Sequence, residues 1–188
     1  MAIFESKDRL IVAADTGPLL SVFQSNTTGL LRRYFSCIFI VQSQLAEFQK
    51  HGAATEIQSL IDEGLVVVIK NLTDKEKSEA MEVARRIATE PSCRDPVVEN
   101  HLPEAELIVV SQRIELQCAG ILLDERAARS VAENMGLNIG GFLGILGRAG
   151  LDGLFTKDEI RRLLQTCQDL GTHYKSSLIE FVAQTYGR

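Results

Sequence analysis

The chain has 188 residues, 45% hydrophobic and 24% charged, with a net charge of −5. This is the composition of an ordinary globular domain, long enough to bury a sizeable core. It excludes a protein that coats nucleic acid by bulk positive charge, and no apolar run reaches membrane-spanning length. Met1 to Arg9 alternates apolar and charged residues and lacks the apolar stretch of a signal peptide. None of the four cysteines, Cys37, Cys93, Cys118 and Cys167, forms a C-x-x-C pair. They read as reduced structural thiols of a cytoplasmic protein. His51, His101 and His173 are scattered among polar residues and read as surface side chains.

Residues 10–14 form an unbroken apolar run that ends at Asp15, as expected of a strand buried on both faces. Thr16-Gly17-Pro18 then turns the chain, with Thr16 or Gly17 capping and Pro18 at a first helical position. Helices are expected over 19–25 and 28–34, and a second strand over 37–41. Ser43 has the place of an N-cap for a helix that carries Leu45, Glu47 and Phe48. A helix over 53–63 stops at Gly64, and a third strand spans 65–69. Thr73 and Glu76 form a capping box for a helix over 74–89. The stretch 90–102, with Pro91 and Pro96, is irregular, and loops of this length are often functional or mobile. A helix over 103–117 leads to a fourth strand over 119–123, which ends at Asp124. A helix over 126–135, a short strand over 137–139 and a helix over 142–149 follow. Two further helices, over 157–170 and 176–186, make a C-terminal helical extension from about residue 151. Strands alternating with helices predict one layered α/β domain with a mainly parallel sheet.

Five acidic residues stand where strands end or helices begin, each beside an apolar run: Asp15, Glu47, Glu104, Glu106 and Asp124. Ligands of open parallel sheets bind beyond the carboxyl ends of the strands, where these residues can converge. Carboxylates at close range repel one another unless a cation sits between them. An oxygen-rich set of this kind suits Mg²⁺ or Mn²⁺ rather than zinc, and the reaction such sites run is metal-assisted phosphodiester hydrolysis. The Thr16 hydroxyl could orient Asp15 or a metal-bound water, and Arg126 and Arg129 could grip a substrate phosphate. Each residue also has a plainer reading. Asp124 could be a turn-former or helix cap, and Glu104 and Glu106 could answer a helix dipole. Glu125 reads as a solvent-facing first-turn residue. Arg126 and Arg129 could pair on the surface with Glu125 or Glu133. The apolar stripes Ile160, Leu163, Leu164 and Leu178, Ile179, Phe181, Val182 would cover a core edge, or else form a dimer face or an antitoxin groove.

Several segments together resemble the PIN-domain family. Asp15-Thr16-Gly17-Pro18-Leu19-Leu20 is similar to its opening "D-[ST]-x-P-L", and Ser43-Gln44-Leu45-Ala46-Glu47-Phe48 to its second acidic motif. Pro103-Glu104-Ala105-Glu106-Leu107-Ile108 resembles the "G-E-A-E-A-I" of one branch, and Leu122 to Arg129 resembles its "L-L-D-D-x-x-A-R". Gly136 to Ile139, with Gly144-Ile145-Leu146, resembles its "G-L-x-V-x-G-T-L-G-I-L". The resemblance implies a three-layer α/β/α sandwich around a central, mainly parallel sheet. It implies an Mg²⁺- or Mn²⁺-dependent endonuclease acting on RNA, with relatives that are toxins paired with antitoxins and often homodimers. By motif position, Asp15, Glu47, Glu106 and Asp124 carry over as metal-binding catalytic residues, with Glu104 as a fifth candidate. Glu104 and Glu106 are two apart on a helix and face different ways, and Glu106 is favoured. The chain departs from the pattern at Pro103, at Gly141-Phe142 where a hydroxyl is usual, and in the longer stretch 90–102. A catalytically weak interaction module is the competing reading. A phosphatase of the haloacid-dehalogenase kind would need a second Asp two residues after Asp15, where Gly17 stands.

Overall fold

The computed structural model describes residues 8–172 and 174–188; the expectations for the first seven residues and for His173 lie outside this range. Five short strands form one sheet: β1 (Leu10–Ala14), β2 (Phe35–Val41), β3 (Val66–Ile69), β4 (Gly120–Leu122) and β5 (Ile139–Gly140). Their order is β3-β2-β1-β4-β5, and every neighbouring pair is parallel. Parallel strands need a crossover between them, and helices supply it.

The strands are buried on both faces, so their side chains divide between two cores. Val12, Ala14, Ile38, Ile40 and Leu122 face one core. It is closed by α1 (Thr16–Gln24), α2 (Thr28–Tyr34), α3 (Leu45–Lys50), α4 (Ala54–Asp62), α8 (Phe142–Leu151), α9 (Lys157–Asp169) and α10 (Ser176–Tyr186). Ala13, Val41, Ile121 and Leu123 face the other, closed by α5 (Asp74–Thr89), α6 (Leu102–Val110) and α7 (Arg126–Asn134). The result is a three-layer α/β/α sandwich. The last two helices belong to the first core: Ile160, Leu164 and Cys167 of α9 pack in it with Ile179, Val182 and Ala183 of α10. A Cβ at Gly150 of α8 would collide with the Tyr186 carbonyl, so glycine there lets α10 approach closely.

The chain runs outward from β1 through β2 to β3, then returns to the other side of β1 for β4 and β5. The direction of winding therefore reverses between β1 and β4. In open α/β sheets this switch point opens a crevice at the carboxyl ends of the strands.

Several local expectations change for identifiable reasons. Asp15 rather than Thr16 or Gly17 caps α1, so the helix begins at Thr16. Ser43 is no cap: a 3-10 turn over Gln42–Gln44 precedes α3, and its hydroxyl donates to Glu106 at 2.6 Å. The helix expected over 103–117 ends at Val110. There Ser111 Oγ donates to the Ile108 carbonyl at 2.8 Å, and Arg113 turns back to Glu76 at 2.6 Å. The stretch 90–102 is tied to itself by Asp95, which accepts from Val97 N–H at 3.0 Å and Asn100 Nδ2 at 2.7 Å. His101 is buried rather than exposed, with Nε2 2.8 Å from the Asp95 carbonyl and 3.4 Å from Cys93 Sγ. All four cysteines are free. Among the described residues no helix is long and apolar enough to cross a membrane.

Candidate metal centre

Asp15 and Asp124 leave adjacent strands at the switch point. β1 and β4 pair Ala14 with Leu122, and Asp15 N–H donates to the Leu122 carbonyl at 2.9 Å. Gly17 sits between the two carboxylates: a Cβ there would lie 3.7 Å from Asp15 Oδ2 and 3.8 Å from Asp124 Cβ. The convergence expected of this pair is therefore present.

Asp15 is 7% exposed. Its Oδ1 accepts from Gln44 Nε2 at 3.0 Å, and its Oδ2 accepts from Gly17 N–H at 3.5 Å. Burial, and then the charge of Glu47, push it up to about 6 from an ordinary 3.8. Gln44 is fully buried, and its own Oε1 accepts from Val41 N–H at 2.9 Å. It locks Asp15 to the end of β2, a role that its place between two expected motif residues did not reveal. The signal available was a polar amide three residues past an apolar strand.

Asp124 is freed for the site by its neighbour. Glu125, expected to face solvent, is the N-cap of α7, with Oε2 accepting from Ala128 N–H at 2.6 Å. Asp124 instead accepts from Phe142 N–H through Oδ1 at 3.3 Å. The backbone amide at the start of α8 thus holds Asp124, and the Phe142 ring is core. Burial raises Asp124 to about 6, against the lowering effects of Phe142 N–H, the Arg129 charge and the Tyr174 hydroxyl. The Tyr174 hydroxyl, 3.2 Å from Ser21 Oγ, also faces Asp124. Nothing in the sequence links Tyr174 to Asp124, 50 residues away.

Glu104, in the first turn of α6, is the acid of its pair that feels Asp15. Burial, then the charges of Asp15, Glu47 and Glu125, raise it to about 8 from an ordinary 4.5. Glu106, the acid favoured by motif position, accepts from Ser43 Oγ at 2.6 Å, whereas Glu104 keeps a buried oxygen without a partner. Glu47 is exposed on α3 and reaches the group through its charge. Arg129 pairs with Glu133, one of the two readings the sequence offers, and also binds backbone. Its Nη1 donates to the Leu123 carbonyl at 2.7 Å and the Gly140 carbonyl at 2.9 Å, clamping the ends of β4 and β5. Its Nη2 lies 3.9 Å from Glu133. Arg126 is exposed.

Four buried side-chain oxygens have no hydrogen-bond partner among the described residues. Three are here: Thr16 Oγ1, Glu104 Oε2 and Asp124 Oδ2. Unpaired buried oxygens are costly unless a ligand completes them. Hard carboxylate and hydroxyl oxygens fit Mg²⁺ or Mn²⁺. Among the described residues no three His, Cys, Asp or Glu side chains are close enough to enclose an ion by themselves. Mg²⁺ ordinarily keeps several waters and takes only one or two carboxylates, so the donor set remains a fit.

A sequence profile of the PIN domain matches residues 11–188. The chain belongs to the PIN-domain family. The match runs from β1 to the end of α10. PIN domains are generally metal-dependent nucleases and commonly use divalent ions such as Mg²⁺. No curated protein and no solved structure matches the chain.

Proposed function

We propose that this PIN domain is a metal-dependent endoribonuclease. The carrying observation is the trio of unpartnered buried oxygens of Thr16, Glu104 and Asp124 beside Asp15, at the switch point of a PIN fold. Asp15 and Asp124 would hold Mg²⁺ or Mn²⁺ together with waters, one of which Glu104 would accept from, and the ion would supply a lowered water pKa and charge stabilisation at the phosphate. The protein's own part is to keep these carboxylates in place: Gln44 and Gly17 N–H fix Asp15, and Phe142 N–H fixes Asp124. Glu47 and Glu106 stand at the rim, and Arg126 offers a cation to the RNA backbone. The deciding experiment is cleavage of a labelled single-stranded RNA with Mn²⁺ by the wild-type chain and by Asp15→Asn and Asp124→Asn. Wild type should cut, and each variant should lose on the order of 100-fold or more. Undiminished cutting by both variants would refute the site.

The proposal extends to the toxin half of a toxin–antitoxin pair acting in the cytoplasm, supported by the resemblance of the 103–108 and 122–129 segments to that branch. Growth arrest on expression, relieved by a co-expressed small partner, is the outcome it requires. A weak or inactive PIN interaction module is favoured by one observation, the absence of three enclosing acids among the described residues. Mn²⁺ calorimetry separates the two: heat of binding supports the nuclease, and none supports the module.

A further inference from the structure

Between α10 and the turn from β5 into α8 lies a recess of about 520 Å³, with Asp124 in its lining. Its walls are mostly apolar, from Leu143 on α8 and Leu178, Phe181 and Val182 on α10. Phe181 is 60% exposed, so an uncovered aromatic ring shares this recess with a carboxylate of the candidate metal centre. Arg126 of α7 and Lys175, the residue before α10, also line it, as do Arg129, Tyr174 and Tyr186. Among the described residues neither Arg126 nor Lys175 makes an ion pair or a side-chain hydrogen bond.

Each feature answers a part of one ligand. A free aromatic face and apolar walls suit a flat base, since base–aromatic stacking tolerates any base. Two unpaired cations suit the phosphate joined to it. The volume is that of a small-ligand pocket and admits one nucleotide. A duplex keeps its bases stacked inside, so only an unpaired or looped nucleotide can enter. An apolar peptide side chain would fill the walls but leave both cations without a partner.

We propose that this recess is a base-binding subsite, receiving a nucleotide that adjoins the phosphate held at Asp124 in single-stranded or looped RNA. This rests on the nuclease reading for the identity of that phosphate, but the binding can be measured without cleavage. In it α10, the last helix of the chain, selects substrate.

The test is fluorescence anisotropy with a labelled single-stranded octaribonucleotide, using the Asp15→Asn chain so that nothing is cut. Adding Phe181→Ala should weaken binding about five- to 100-fold, and adding Lys175→Glu should weaken it at least several-fold. A blunt duplex of the same sequence should bind weakly and equally to all of them. Phe181 is largely exposed, so an unchanged melting temperature is expected for the alanine variant. Unchanged affinity in both variants overturns the subsite. So does a Phe181→Ala loss that tracks the break-up of a dimer on sedimentation, which makes this face a contact between two copies. A separate Mn²⁺ cleavage assay keeps the two ideas apart. Cutting that is indifferent to Phe181 sinks the subsite alone. Phe181-dependent binding without any cutting by wild type sinks the nuclease alone.

Discussion

Asp124 shows how one carboxylate is made available. Glu125 takes over the capping of α7, Phe142 N–H holds one oxygen, and the other is left buried without a partner. Asp124→Asn should remove the penalty of a buried charge and raise the melting temperature by a few degrees in EDTA, the equivalent of about 1–3 kcal/mol. Calorimetry of the metal-free protein checks it, and a lower melting temperature would contradict the account. Gly141 is the complementary case. Its φ of −171° is ordinary extended backbone, so glycine is needed there for space and not for conformation. A Cβ at Gly141 would collide with Asp124 Oδ1 and stand 3.1 Å from the Leu123 carbonyl. Gly141→Ala should therefore displace Asp124, lowering stability by about 1–3 kcal/mol and cleavage with it. Arg129→Ala should loosen the same corner, because the Leu123 carbonyl loses its side-chain donor and the Gly140 carbonyl is left with Leu123 N–H alone. Its signature is a lower unfolding midpoint in urea with the KM for RNA unchanged; a raised KM alone would return Arg129 to substrate binding.

Among the elements, α6 carries Glu104 and Glu106, and an ion pair ties its end to α5. Arg113, just past α6, donates through Nε and Nη2 to Glu76 at 2.6 and 2.8 Å. Glu76 also closes the capping box of α5, accepting from Thr73 N–H at 2.7 Å. The Arg113 guanidinium holds Glu76 down to about 2, below its ordinary 4.5. Its contribution to stability is thus present above about pH 4.5 and is lost as pH falls through 2. Glu76→Gln should cost about 1–2 kcal/mol at pH 7 and nothing at the acid end, measured by urea unfolding at several pH values. The capping box of α5 could be read from Thr73 and Glu76 alone, because a cap is a contact between residues three apart. The pairing with Arg113, 37 residues on, could not.

For the molecule as a whole, the acids at the switch point set the pH response. Asp15 and Asp124 are raised to about 6 and Glu104 to about 8, so the folded protein holds protons that the unfolded chain releases. The stability they contribute is full below about pH 4 and falls as pH rises through 6 and then 8. The melting temperature in EDTA should decline between pH 5 and 8, and Mn²⁺ should restore it most at the alkaline end. A flat profile, or one indifferent to Mn²⁺, would mean that these carboxylates do not share an environment.

Apolar runs that end in Asp15 and Asp124 were enough to foretell the strands, their parallel pairing and the two central acids, because buried strands of a parallel sheet leave a period and a length in the chain. The helix caps that follow a local rule were equally legible. Which acid of the Glu104 and Glu106 pair turns inward was not, since that depends on how α6 lies against β1 and β2. Nor were Gln44 as the anchor of Asp15, Arg129 as a strand clamp, or Tyr174 beside Asp124. Each of these is a contact between residues distant along the chain. Such contacts leave no period and no spacing behind, and come into being when the layers close over the sheet.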